Sequence, residues 1–422
     1  MSKNEGEKFR EDLIQLLKEV VEKLQPLGMD EIRRQLSDLL EIITGGRAPR
    51  IMLIGRSGSG KSSLINSLFG KYVAPIGTVR PESEGRWYSY QDQEKNRTLD
   101  VLDTRGNEES IKATEGEAAT PFEALKLLLR NKIPDVCVYL VAAKNVRNYV
   151  DLDVDYLKDV REHIQAGETG YQLPIIPVVN KVDALDPIKA DLHNEEKSRH
   201  IKDCLDYLTK AMNSKGLTFP NPIPICTRLD FKKKKDQSGN WEVIKPNEIK
   251  YDSRWNIALI IDEMQENLPN EAKMAMAGIT DMAEVQRKLA NKIITMCRNL
   301  CITAAGTPIP ILKDVLIITP VQVIMVCMVA YISGRQINTK TIGEFFMGLG
   351  LTGGSAILAR KLAGELGALI PGAGLWVRMG IAAGTTEALG KAAVSYFIDK
   401  EDMKNVKEKF EESKDKNLAT TE

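Results

Sequence analysis

Gly55-Arg56-Ser57-Gly58-Ser59-Gly60-Lys61-Ser62 packs three glycines, three hydroxyls and a lysine into eight consecutive residues. The octet follows an apolar run at 51–54 and precedes Ser63-Leu64-Ile65-Asn66-Ser67-Leu68, a helical pattern, so G-x-x-x-x-G-K-[ST] falls at a strand-to-helix junction. Glycines there let backbone N–H groups approach phosphate oxygens, and the helix that follows directs its dipole and its free N–H groups at the anion. Gly55, Ser57, Gly58, Ser59, Gly60, Lys61, Ser62 and Ser63 are therefore the expected phosphate contacts. Lys61 would bridge the β- and γ-phosphates as the catalytic cation, and the Ser62 hydroxyl would ligate Mg²⁺.

The octet specifies a nucleoside phosphate without choosing its base. Asp103-Thr104-Arg105-Gly106 follows the apolar run 99–102 and reads as D-x-x-G. Asp103 would hold Mg²⁺ through water, and the Gly106 N–H would contact the γ-phosphate. Asn180-Lys181-Val182-Asp183 follows the run 175–179 and reads as N-K-x-D. A carboxylate at Asp183 can accept hydrogen bonds from guanine N1–H and N2–H, whereas adenine offers neither donor in that arrangement. Asn180 is expected to brace the loop and read the O6 side, with the Lys181 stem packed on the base. The three motifs together predict a site for GTP or GDP with Mg²⁺.

Elements that could hold these residues are visible on either side. Short apolar runs at 51–54, 99–102, 136–141, 175–179 and 223–226, with an edge-type run at 87–90, alternate with helical stretches. That alternation predicts a mostly parallel sheet with helices on both faces over residues 48–267. Before it, Phe9, Leu13, Leu16, Leu17, Val20 and Leu24, then Ile32, Leu36, Leu39 and Ile43, recur at helical spacing around Pro26-Leu27-Gly28, which predicts a helical hairpin over 1–47. After it, 271–400 is helical by pattern and 401–422 is a charged tail expected to fray. The expected fold is an α/β domain plus an α-helical domain built from N- and C-terminal segments.

Residues 315–332 form 18 consecutive positions without a formal charge, a length of about 27 Å as a helix and barely a bilayer core. Pro320 and Gln322 weaken a spanning role. Buried helices of an α-domain, a helix or hairpin entering one leaflet, and a constitutive span stand as three open readings. The run Lys232-Lys233-Lys234-Lys235 reads as a solvated surface loop. Lys+Arg and Asp+Glu are equal at 58 each, and this balance argues against bulk attraction to nucleic acid. The six cysteines form no CxxC pair and read as reduced, small buried residues, and the three histidines have no metal-ligand spacing. The N-terminus lacks the apolar centre of a signal peptide, so a cytoplasmic protein is expected, peripheral to a membrane if its apolar helices meet lipid.

In this order the three motifs resemble the G domains of translation-factor-type P-loop GTPases, and GRSGSGKSSLINSLFG is most similar to the Era-like group over about residues 50–228. The resemblance implies that Cys226-Thr227-Arg228 stands where the family's last base-contacting element lies, a degenerate match that makes Cys226 and Thr227 base contacts. It also implies a switch hydroxyl that covers the γ-phosphate and ligates Mg²⁺. Counting from Pro81 this is Ser83, with Thr78 the nearer threonine. Ras-like relatives carry a water-orienting Gln after the D-x-x-G glycine and Era-like ones an apolar residue, whereas this chain has Asn107. Slow intrinsic hydrolysis follows, rising when a second molecule supplies or orders a catalytic group. Arg56, Arg80 and Arg105 are cationic candidates near the phosphates, while Glu108 and Glu109 read as solvated charges.

Ala304-Ala305-Gly306-Thr307-Pro308-Ile309-Pro310 and Leu369-Ile370-Pro371-Gly372-Ala373-Gly374 add a second resemblance, to a C-terminal helical domain of unknown function found after Era-like G domains in bacterial GTPases. The layout is also similar to that of immunity-related and dynamin-like GTPases. These likenesses imply a helical domain moved by the nucleotide state. They also imply assembly of two copies through G domains, and a membrane surface as a further partner.

Overall fold

The computed structural model describes residues 11, 14–15, 17–19, 21–22, 30–44, 47–75, 86–92, 97–103, 121–167, 171–188, 190–235, 241–305, 317–335, 338–351 and 382–419. The expected hairpin break at Pro26-Leu27-Gly28 lies outside them. The first elements are α1 (Asp30–Thr44), β1 (Arg50–Ile54), α2 (Lys61–Phe69), β2 (Arg86–Asp92), β3 (Arg97–Asp103), α3 (Pro121–Asn131), β4 (Val136–Ala142), α4 (Val146–Gly167), β5 (Ile175–Asn180), α5 (Glu195–Ser214) and β6 (Ile223–Pro224). Four short strands follow, β7 (Leu229–Phe231), β8 (Lys233–Lys235), β9 (Trp241–Val243) and β10 (Ile249–Asp252), and then α6 (Ile257–Asn267), α7 (Asn270–Ile279), α8 (Ala283–Ala305), α9 (Thr319–Ile332), α10 (Thr339–Gly348), α11 (Ala382–Ala393) and α12 (Met403–Ala419). The chain divides into an α/β unit, Ala48–Pro269 with Ile279–Asp281, and a helical unit, Met1–Arg47 with Asn270–Gly278 and Met282–Glu422.

The α/β unit is built on a six-stranded sheet in the order β2-β3-β1-β4-β5-β6. β2 runs antiparallel to β3, and the other pairings are parallel. Successive residues of a strand point to opposite faces, yet Ile51, Met52, Leu53 and Ile54 are all buried, as is every residue of β4 and β5. Both faces are therefore covered, and this is why these strands read as unbroken apolar runs. Met52, Ile54, Tyr139 and Val179 join Leu125, Leu129, Val150, Leu157 and Leu208 of α3, α4 and α5 in one core. α6 packs against α2 and β5. Because β1, β3, β4 and β5 are parallel, their carboxyl ends lie along one edge, and β1 sits where the strand order reverses, the usual crevice for a ligand.

The lysine run differs from its sequence reading. Lys233–Lys235 forms β8, paired antiparallel with β9 in the register Lys233↔Val243, Lys234↔Glu242 and Lys235↔Trp241. Residues 233–235 are exposed all the same, and their solvated character survives. Next to this ribbon β7 pairs with β10, and the chain then turns through Arg254. The Arg254 guanidinium bonds both Asp252 oxygens, both Asp281 oxygens and the Ser67 carbonyl, tying the return from the ribbon to the end of α2.

In the helical unit Thr319–Ile332 of the apolar run forms a buried core helix. α9 is 14 residues long and buries Val321, Val323, Ile324, Met325, Val326, Cys327, Met328, Val329, Ala330 and Ile332. Fully burying a large aliphatic side chain is worth about 1.5–3 kcal/mol, and α8 and α11 provide the partner surfaces. Gln322, the polar interruption, donates to the buried Thr386 hydroxyl at 3.0 Å. No helix among the described residues is long and apolar enough to cross a membrane. Ile32 and Leu36 of α1 belong to the same core as Ile293, Cys297 and Leu300 of α8. Cys297, Cys301 and Cys327 are free, buried thiols of this core, and burial pushes Cys301 up to about 11, whereas Cys204 on α5 is only half-buried.

The charged tail is corrected outright, because Met403–Ala419 is helical. Its charges hide two anchors, Val406 and Phe410, four apart and 0% and 2% exposed. Phe410→Ala should cost about 3–5 kcal/mol as a buried aromatic lost, whereas Lys404→Ala, on the exposed side, should stay within about 0.5 kcal/mol. Urea unfolding followed by far-ultraviolet circular dichroism checks both.

Candidate nucleotide site

β1 ends at Ile54, and the phosphate loop runs from there to α2, which begins at Lys61. Two glycines are required for different reasons. A Cβ on Gly55 would strike the Leu140 carbonyl oxygen, so this position needs the close backbone approach. Gly60, the N-cap of α2, has φ 105°, a left-handed conformation that L side chains resist, and a Cβ there would strike the Asn180 amide. Ser57 and Gly58 are exposed at the loop tip, and Ser62 and Ser63 open the first turn of α2.

Lys61 Nζ donates to the Gly55 carbonyl at 2.6 Å and lies 3.9 Å from Asp103 Oδ1 at the end of β3. The start of α2, the loop and the D-x-x-G aspartate thus meet in one place. Ser59 Oγ is buried and has no hydrogen-bond partner among the described residues. A buried hydroxyl of this kind, beside a helix N-terminus, fits the oxygen of a phosphate. Ser62 and Asp103 supply a hydroxyl and a carboxylate, the hard oxygen donors Mg²⁺ takes alongside phosphate and water. No group of three or more His, Cys, Asp or Glu that could hold a metal occurs among the described residues.

The base loop begins where β5 ends. Asn180 is wholly buried, and Lys181 adopts φ 60° before the short turn Val182–Ala184. Asn180 Nδ2 donates to the Ser59 carbonyl at 2.8 Å and stands 3.1 Å from Thr227 Oγ1, while its Oδ1 accepts from the Lys181 N–H at 2.8 Å. The sequence reading gave Asn180 two tasks, and the geometry displays the bracing one: its amide is engaged by protein on both sides. Cys226 and Thr227 are likewise buried, at 1% and 4% exposure. The Thr227 carbonyl accepts from Ser67 Oγ at 3.0 Å, so this element also fastens the loops together. Burial pushes the Cys226 thiol up to about 11, and the Asp183 carboxylate beside it pushes the same way. Lys181 is exposed and Asp183 half-buried, which leaves both accessible to a base.

Arg56 is a correction. Its guanidinium bonds Asp153 Oδ1 at 3.1 Å and lies 4.1 Å over the Tyr149 ring, both on α4. Tyr139 donates its hydroxyl to the other Asp153 oxygen at 3.0 Å. Burial, then the Asp153 charge and this bond, hold the Tyr139 hydroxyl pKa well above its usual range. Arg56 therefore anchors the phosphate loop to α4. Asp153 was legible as an anomaly, a charge on the stripe Val150, Val154 and Leu157 that α4 buries.

Two further residues escaped the sequence reading. Asn66, inside α2, accepts from the Val73 and Ala74 N–H groups at 2.8 and 2.7 Å and donates to the Ala74 carbonyl at 2.8 Å, fixing the chain that leads toward residue 76. An Asn within a helix is a weak helix former that competes for backbone bonds, and this was the available signal. Lys197, buried in the first turn of α5, is the second. Thr78, Arg80, Ser83, Arg105, Gly106, Asn107, Glu108 and Glu109 lie outside the described residues.

Residues 50–181 match a protein family described as 50S ribosome-binding GTPase. With its mostly parallel sheet and covering helices, that segment has the α/β fold of a P-loop G domain. No curated protein matches the chain. Similar solved structures include a variant of SsGBP, at 22% identity over 47% of this chain and 59% of that one, with a TM-score of 0.26. Toc33 from Arabidopsis thaliana in complex with GDP and Mg²⁺ is 15% identical over 58% of this chain and 92% of that one, at 0.33. Era from Aquifex aeolicus bound to GDP·AlF4⁻ is 17% identical over 60% and 68%, at 0.32. The chain spans less than two thirds of the length of the first of these.

Asn180→Ala removes the bonds to Ser59 and Thr227 and leaves buried partners unpaired. At about 1–3 kcal/mol for each unsatisfied group, the α/β unit should lose roughly 2–4 kcal/mol, read as a lower urea midpoint at unchanged m-value.

Proposed function

We propose that the protein is a guanine-nucleotide switch that hydrolyses GTP slowly and transmits the state of its γ-phosphate to its helical segments. One observation carries this reading. The phosphate loop, Asp103 and the N-K-x-D loop converge on one sheet edge, with Asn180 bonded to the Ser59 carbonyl between them.

In this reading the Gly55–Ser63 backbone and Lys61 hold the phosphates, while Ser62, Asp103 and Ser83 hold Mg²⁺. Gly106 senses the γ-phosphate, and Lys181 and Asp183 take the base. Catalysis of phosphoryl transfer consists mainly of positioning and charge stabilisation. Arg56 is held by Asp153 and Tyr149, and Asn107 replaces a water-orienting side chain, so turnover is slow until a partner or a second copy completes the site. A ligand shifts a conformational equilibrium only through contacts that differ between states. The links from Gly106, Ser83 and Mg²⁺ to the γ-phosphate exist with GTP and vanish with GDP.

The alternative, a nucleotide-gated membrane or scaffold module, drew on the apolar run now seen as the buried helix α9. The switch reading is favoured for that reason.

Asp183→Asn should weaken binding of a fluorescent GDP analogue by about 100-fold, the scale of two hydrogen bonds to a charged acceptor. It should leave an ATP analogue as poorly bound as before. Unchanged GDP affinity would sink the guanine assignment. GTP turnover per molecule that climbs with protein concentration would support completion by a second copy, and flat, slow turnover would point to a different partner.

A further inference from the structure

The base loop has a fastening that belongs to none of the three motifs. Lys197, in the first turn of α5, is only 1% exposed. Its Nζ donates to the carbonyl oxygens of Asp183 at 3.0 Å, Ala190 at 3.1 Å and Ile188 at 3.3 Å. An ammonium carries three donor protons and no acceptor, and each here has a carbonyl to meet. A buried charge is tolerated only when it is hydrogen-bonded in this way. The position is set by α5 itself, whose N-cap Asn194 accepts from the N–H groups of Glu196 and Lys197.

The first of these carbonyls belongs to the residue whose carboxylate faces guanine. On the N-terminal side the loop is held by the Lys181 N–H on Asn180 and the Val182 N–H on the Ile225 carbonyl. On the C-terminal side Lys197 ties Asp183 directly to the carbonyls of Ile188 and Ala190. A carboxylate accepting from guanine N1–H and N2–H must lie in the base plane, because hydrogen bonds weaken steeply once their angle falls below about 120°. Backbone freedom at Asp183 therefore translates into lost discrimination.

We infer that Lys197 is a positioning residue for guanine recognition, its ammonium fixing the Asp183 backbone so that the carboxylate is aimed at the base. The inference rests on reading Asp183 as the guanine contact. It concerns how selectivity is maintained, which is separable from whether nucleotide binds.

The experiment uses the full chain, a fluorescent GDP analogue, and competition by GDP and by inosine diphosphate, which lacks the 2-amino donor. Wild type should prefer GDP by about 10–100-fold, the scale of one hydrogen bond to a charged acceptor. Lys197→Met keeps the volume and removes the donors. It should weaken GDP binding by about tenfold or more and shrink the preference to about threefold or less. Leu157→Ala, in the core on α4, is the stability control: it removes a wholly buried side chain, lowers the melting temperature and leaves the preference intact. If Lys197→Met gives no cooperative melt, Lys197→Gln is measured against the same ratio. A folded Lys197 variant that retains the wild-type preference overturns the inference while leaving the nucleotide reading standing. A wild-type protein indifferent to guanine overturns both.

Discussion

The side-chain amide of Asn180 joins two loops whose bonded residues lie 121 positions apart in the chain. Its Nδ2 reaches the phosphate loop through the Ser59 carbonyl, and its Oδ1 holds the Lys181 N–H that opens the base loop. Thr227 completes the junction from a third segment. An amide can serve all of these because it carries donors and an acceptor on one rigid plane. Its complete burial raises the cost of losing any of them. Gly60 has no side chain partly for the sake of this group, since a Cβ would occupy the space of the amide. The separation between the Ser59 loop and the Lys181 loop is thereby set by hydrogen bonds within the protein itself.

Around that junction, other polar side chains turn loops into fixed geometry. Arg56 binds the phosphate loop to α4 through Asp153, Asn66 binds the end of α2 to the segment after it, and Arg254 binds the ribbon's return to α2. Each is a side chain spanning a gap that backbone pairing cannot close. Loops that carry function are held on a rigid scaffold in this manner.

Much of this was legible. The strands at 51–54, 136–141 and 175–179 could be read because parallel strands covered on both faces are apolar at every position, and the glycine-lysine octet could be placed at a strand-to-helix turn because an apolar run precedes it and a helical pattern follows. The bracing network was not, because its members are isolated polar residues whose meaning depends on what lies opposite. Lys197 reads as one more charge in a helix until its three carbonyl partners are seen. The apolar run at 315–332 was ambiguous for a related reason: a helix buried on every side has the same composition whether its surroundings are lipid or neighbouring helices. The charged tail misled in the opposite sense, since Val406 and Phe410 are sparse among the Lys and Glu residues that cover the rest of α12.

The chain order of the two units has a consequence for how the molecule comes into being. Ile32 and Leu36 find their core partners on α8, across the whole α/β unit in sequence. The G domain is complete when residues 48–281 have been made, whereas the helical unit still lacks most of its core. Domains acquire structure as units, N-terminal first during synthesis, and contacts of large sequence separation form slowly. The amphipathic helix α1 must therefore wait with its apolar stripe uncovered until α8 emerges.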